Sequence, residues 1–156
     1  MVRRVFFSFH YEMDVWRAGQ VRNSWVTKPD RETAGFFDSA EWEHVKKKGD
    51  DAIEKWIDKQ LEGTSVTVVL IGNQTYGRKW INYEITSSWK RGNELLGICI
   101  HNLKDKNQQT DTQGRNPFEQ WTFRRNGNIV QIPIYDWLLH DGYNNLGKWV
   151  EIVAPK

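Results

Sequence analysis

The chain has one cysteine, four prolines and almost no excess charge, and each shortage removes a class of function. Cys99 alone cannot close an intrachain disulfide. It lies in the apolar run Leu95-Leu96-Gly97-Ile98-Cys99-Ile100, where a buried, inert thiol is the default. Nothing therefore asks for an oxidising compartment. A formal net charge of +2 gives no electrostatic case for nucleic acid or an anionic membrane. The one dense basic patch, Lys46-Lys47-Lys48, reads as a solvated turn before a helix. The longest core-like run, Val66 to Ile71, is far shorter than the ~20 apolar residues that span a bilayer. The apolar opening from Met1 to Phe7 breaks at His10, Glu12 and Asp14, too early for a signal peptide. The expectation is a cytoplasmic protein. Also missing are the glycine fingerprint of dinucleotide-binding folds and the P-loop. His10, His44, His101 and His140 are scattered, without the spacing of a zinc site, so no metal is expected.

What is present suits one domain. The 156 residues allow a single continuous core, and although only 38% are hydrophobic, nine Trp, seven Phe and five Tyr supply large buried surfaces. Val2 to Phe9 reads as a strand buried on both faces. Val15, Ala18, Val21 and Trp25 recur at helical spacing up to Lys28-Pro29-Asp30. Ala34-Gly35-Phe36-Phe37 reads as a second strand leading into Asp38. The next helix has Asp50 as N-cap, a stripe of Ile53, Trp56, Ile57 and Leu61, and Gly63 as its stop. Ser65 to Ile71 reads as a central strand. A helix from about Arg78 to Arg91 turns Ile81, Ile85, Ser88 and Trp89 inward, and Leu95 to Ile100 makes a fourth strand. His101 to Gln120 reads as a long surface loop. Ile129 to Ile134 reads as a fifth strand, placed at an edge by Pro133, and Leu146, Trp149, Val150 and Val153 mark a closing helix. The alternation implies an α/β fold of the flavodoxin-like type, a parallel sheet of about five strands with helices on both faces.

Ligands of such folds sit beyond the carboxyl ends of the strands, where the strand order reverses. That end gathers Phe9, His10, Tyr11, Asp38, Gly72, Asn73 and the start of the following helix. Ser8 and His10 share a strand face but stand roughly 6.6 Å apart along it, poor geometry for a nucleophile and its base. They read as a core Ser and a rim His. Glu84 follows Trp80 by one helical turn, so indole and carboxylate share a face flanked by Ile81 and Ile85. A carboxylate beside an indole at a crevice rim is partly desolvated and suited to stabilising positive charge. On spacing alone, the plainer reading of a surface Glu favoured by the helix dipole has the edge.

Three segments change that balance. Val5-Phe6-Phe7-Ser8-Phe9 resembles the first-strand box of Toll/interleukin-1-receptor (TIR) domains. Phe36-Phe37-Asp38 is similar to their second strand, and Trp80-Ile81-Asn82-Tyr83-Glu84-Ile85 matches the W-x-x-x-E-[IL] segment of NAD-cleaving TIR enzymes. The chain resembles the TIR-like proteins of bacterial Thoeris anti-phage systems from Arg3 to about Phe118, with residues 119–156 less clearly matched. The Pro-Gly loop of receptor-adaptor TIR domains is missing between Asp38 and Asp50, which argues against an adaptor of that kind. The resemblance implies a single TIR-like domain that cleaves NAD⁺ as substrate, with no cofactor, and releases an ADP-ribose-derived, cyclic signal in anti-phage defence. It implies Glu84 as the catalytic carboxylate and Phe9, His10, Asp38, Trp80 and Tyr83 as substrate-binding residues. It further implies self-association and a separate effector protein that senses the product. A non-catalytic TIR-like interaction module and a nucleotide-sensing domain remain the alternatives.

Overall fold

The computed structural model describes residues 3–34 and 39–155. The first half runs β1 (Arg3–Ser8), α1 (Tyr11–Val26), β2 (Arg31–Ala34), α2 (Ser39–Lys47), α3 (Asp50–Leu61) and β3 (Val66–Ile71). The second half holds α4 (Lys79–Arg91), β4 (Glu94–Cys99), a 3-10 turn at Pro117–Gln120, and the two-residue strands β5 (Arg124–Arg125) and β6 (Asn128–Ile129). It ends with β7 (Ile134–Asp136) and α5 (Gly142–Val153). Five strands pair in parallel in the order β2-β1-β3-β4-β7, as the alternating pattern implies. All six residues of β3 are buried, which is why a continuous Val/Ile/Leu/Thr run takes the centre. Alternate residues then serve opposite faces. Val5, Phe7, Val68, Leu70 and Ile98 meet α1 and α5 through Trp25, Val21, Leu146 and Trp149. Phe6 meets α3 through Ile53 and Ile57, and Val69 and Leu95 meet α4 through Ile81 and Ile85. The order reverses between β1 and β3, so the crevice expected for a ligand opens there. Among the described residues, no helix is long and apolar enough to cross a membrane.

Several expectations shift. Val15, read as core, is 40% exposed, and Asp14 and Arg17 are buried in its place. β2 lies at Arg31–Ala34, because an edge strand with one open side tolerates Arg, Glu and Thr. Gly35 to Asp38 fall outside the described residues. Gly49, at φ 94°, is the N-cap of α3, while Asp50 begins the helix and pairs with Lys79. The fifth strand starts later than Ile129. Pro133 has no N–H to donate, and its carbonyl takes the Gly97 N–H at 2.9 Å, so pairing proceeds only from Ile134 to Asp136. It is an edge strand, as Pro133 requires. Asn128–Ile129 instead closes a two-residue antiparallel hairpin with Arg124–Arg125.

The long loop after β4 is tied down from outside. Arg17 donates through Nε to the Leu103 carbonyl (2.8 Å) and through Nη2 to the Gln109 carbonyl (3.0 Å). Its Nη1 pairs with Asp14 at 3.1 Å, and both side chains are almost wholly buried. Burial pushes the Asp14 carboxyl up, and the guanidinium draws it back. Gly72 permits this packing, since a Cβ there would lie 2.1 Å from Asp14 Oδ2. Replacing Arg17 with Met should strand the buried carboxylate and lower stability by about 3–5 kcal/mol. Thermal unfolding would read that loss, and limited trypsin digestion should cut at Lys104 and Lys106 well before the wild type is cut. A variant as stable and as resistant as the wild type would show that Arg17 does not anchor the loop.

Candidate active site

A cavity of about 580 Å³ opens at the carboxyl end of β1. Four elements wall it. The β1–α1 turn supplies Phe9, His10 and Tyr11; α2 supplies Trp42 and Lys46; α3 supplies Ile53, Trp56 and Ile57; and α4 supplies Arg78, Lys79, Trp80 and Glu84. The rings form two groups. Phe9, Tyr11 and Trp42 run as a ladder with centroids 6.3 and 6.0 Å apart. On the α4 side, Trp80 has Lys79 Nζ 4.9 Å from its ring centre. Six aromatic side chains line the cavity, against one carboxylate in its floor and a rim of His10, Glu12, Lys46, Gln74, Arg78 and Lys79. Such a lining suits planar rings joined by a polar linker.

Glu84 lies deeper than its helix position suggested. It is 8% exposed, because α4 buries the Ile81 and Ile85 face on β3 and β4 and carries the carboxylate inward with it. Ser8 Oγ donates to Glu84 Oε1 at 2.9 Å. Burial pushes the Glu84 pKa up to about 8, and the Ser8 hydroxyl works against that rise. At neutral pH the neutral acid is therefore the favoured form, and a cation in the cavity would favour the carboxylate.

The expected residues are unevenly gathered. Phe9, His10, Trp80 and Glu84 all line the cavity. His10 also caps α1, its Nδ1 accepting the Met13 N–H at 3.3 Å. Tyr83 does not line it. Its hydroxyl donates to Asp58 at 2.9 Å, and its ring meets Trp80 edge-on at 5.9 Å, so it braces the indole from behind. The helical period explains this, since positions 80 and 84 share a face and position 83 is turned away from 84. Asp38 lies outside the described residues. Sequence reasoning missed Trp42, Trp56, Lys46 and the role of Ser8. The signal for Ser8 was available, because a hydroxyl in a strand covered on both faces must find a buried partner. Trp42 and Lys46 carried no such signal. Among the described residues, no group of three or more His, Cys, Asp or Glu is placed to hold a metal ion.

The raised pKa has a consequence for stability. Below pH ~4.5 the folded and unfolded chains both carry the Glu84 proton, and between that value and about 8 only the folded chain does. Wild-type stability from this group is thus complete at acid pH and falls as pH rises through the window. Glu84→Gln does not titrate, so it should gain on the wild type by on the order of 3–5 kcal/mol between pH ~4.5 and ~8. In thermal midpoint the gain is roughly 10 °C. Parallel melting curves across that range check it; a difference that stays constant with pH would place the Glu84 titration elsewhere.

Comparison with known proteins identifies the family. The chain matches the family model of the Thoeris protein ThsB, TIR-like domain, over residues 6–105. That segment runs from β1 past the end of β4 and contains Ser8, Phe9, His10, Trp80 and Glu84. The chain is also 42% identical over 152 residues to a Bacillus cereus (strain MSX-D12) protein named "Putative cyclic ADP-D-ribose synthase ThsB1". The alignment covers 97% of this chain and 76% of that protein. With its parallel five-stranded sheet and this match across most of the sheet, the chain belongs to the TIR-like domain family of Thoeris ThsB proteins.

Proposed function

We propose that the protein cleaves NAD⁺ between nicotinamide and ribose and releases a cyclic ADP-ribose product as a signal in anti-phage defence. The observation that carries this reading is a buried carboxyl with one oxygen held by Ser8, set in the floor of an aromatic cavity. The name of the Bacillus cereus relative supports the same substrate class.

The chemistry follows from charge. The nicotinamide ring of NAD⁺ is cationic, and its entry favours loss of the Glu84 proton to solvent. The C1′–N bond then breaks with its electron pair moving to the pyridine nitrogen, and neutral nicotinamide leaves. Positive charge passes to the ribose, where the Glu84 carboxylate stabilises it and accepts hydrogen bonds from the ribose hydroxyls. Trp80, one turn from Glu84, offers its ring to the nicotinamide, while Phe9 and His10 line the cavity from the β1–α1 turn. Aromatic walls exclude water. A nucleophile of the ADP-ribose itself then attacks C1′ and loses a proton, which gives the cyclic product. Asp38 is assigned to the ribose side of this site. NAD⁺ is consumed as substrate, with no separate cofactor. The reading further assigns the protein to the cytoplasm, with self-association of TIR-like domains and a separate effector protein that senses the product.

The test uses Glu84→Gln, with the exposed Glu62→Gln as control. NAD⁺ loss should fall by ~10²–10³ in Glu84→Gln and stay at the wild-type rate in the control. Mass spectrometry should find nicotinamide and a cyclic ADP-ribose isomer from the wild type. In the wild type, kcat/KM should climb with pH up to about 8, where Glu84 is ionised before substrate arrives. A Glu84→Gln protein that consumes NAD⁺ within a few-fold of wild type ends the assignment.

A further inference from the structure

We propose that Ser8 is the positioning residue of this site, fixing one oxygen of Glu84 so that the other is presented to the substrate. The inference rests on the reading of Glu84 given above. Ser8 is wholly buried at the carboxyl end of β1, in register with Val69 of β3. Its hydroxyl gives its proton to Glu84 Oε1 at 2.9 Å. The backbone end of Glu84 is fixed independently, by Ile81 and Ile85 packed on β3 and β4. A glutamate held at the helix and at one carboxylate oxygen has little rotamer freedom left, and its second oxygen is committed to the cavity.

No other polar group takes that part. The charged groups on the surrounding elements are His10 and Glu12 of the β1–α1 turn, Lys46 of α2, and Arg78 and Lys79 of α4. Lys46 is engaged by Glu12 and Glu43, at 3.4 and 3.5 Å. Arg78 is engaged by Gln74, at 2.9 and 2.7 Å, and Lys79 by Asp50. The cavity wall from α3 is uncharged, made of Ile53, Trp56 and Ile57. Among the described residues, none of these cations forms an ion pair with Glu84. The Glu84 carboxyl is therefore aimed into a low-polarity setting with one hydroxyl as its partner. A hydroxyl that donates to a carboxylate favours its charged form, so losing the donor keeps the proton on to higher pH and also frees the side chain to turn.

Two variants separate aim from fold. Ser8→Ala removes the hydroxyl with little change in volume, and Ser8→Thr keeps it on a β-branched residue suited to a strand. NAD⁺ turnover of wild type and both variants is followed from about pH 6 to about pH 10, with thermal midpoints on the same samples. In Ser8→Ala the acid limb of kcat/KM should move up by about one pH unit. Its kcat near neutrality should fall about tenfold while KM changes less than about threefold. Ser8→Thr should follow the wild type. A Ser8→Ala profile that superimposes on the wild type overturns the inference, as does a loss equal at every pH that tracks the thermal midpoint. A wild type that leaves NAD⁺ untouched overturns the reading of Glu84 instead, so the two failures are told apart.

Discussion

The working end of this molecule depends on β1 being covered on both faces and paired on both edges. β2 and β3 take its backbone groups, α1 covers one face, and α3 and α4 cover the other. A polar side chain in such a strand has no route to water, so Ser8 must be satisfied from inside the protein. Glu84 is the partner the fold provides, and that contact settles where the first strand ends relative to α4. The aromatic ladder begins one residue later, at Phe9, and the cap of α1 one residue after that, at His10. Three consecutive residues thus join the sheet, the cavity wall and the first helix.

Most of the scaffold was legible because its signals are strong and local. Val66 to Ile71 is apolar at every position but Thr67, and such a run suits a central parallel strand. Ile81, Ile85 and Ser88 repeat at helical spacing and face the sheet as expected. Errors arose where a tertiary partner outweighed local preference. Val15 fits a helical stripe, yet the Asp14–Arg17 pair occupies the buried face, because Arg17 has backbone carbonyls to bind on a loop nearly ninety residues away. Pro133 correctly marked an edge strand, but the pairing it permits starts after it. Within the site, motif spacing located Glu84 and Trp80. Tyr83 lies in the same segment yet turns to Asp58, as the 3.6-residue period dictates. Trp42 and Lys46 come to the cavity through packing of α2 on α3 and on the first turn of α1, and no short-range pattern encodes that meeting.

The buried carboxyl sets function against stability. A protein built only for stability would place an apolar residue between Ile81 and Ile85, where Glu84 now sits with one hydroxyl for company. The neutral acid is tolerated because its proton removes the charge that burial penalises. On the function proposed above, a cationic substrate would reverse that balance as it enters. The same low polarity that raises the pKa then strengthens every interaction between the carboxylate and positive charge. On that proposal, catalytic potential and folding cost share one origin, the desolvation of a single side chain.

The anchoring of the loop after β4 bears on how this protein can evolve. Arg17 grips the loop by the carbonyls of Leu103 and Gln109, which every residue type possesses. The loop's path is thereby held in part by a residue outside it, and several of its own side chains, such as Lys104 and Lys106, take no part in that hold. Asp105, whose carboxylate caps the Asn107 and Gln109 amides, Thr112, which meets Asn73, and Asn116, which caps Phe118, are among the exceptions. Exposed positions such as Lys104 and Lys106 can change without disturbing the sheet behind them, whereas Gln108, at φ 63°, is held to a left-handed turn. A backbone fixed from outside in this way gives a surface whose shape can persist while its exposed side chains change.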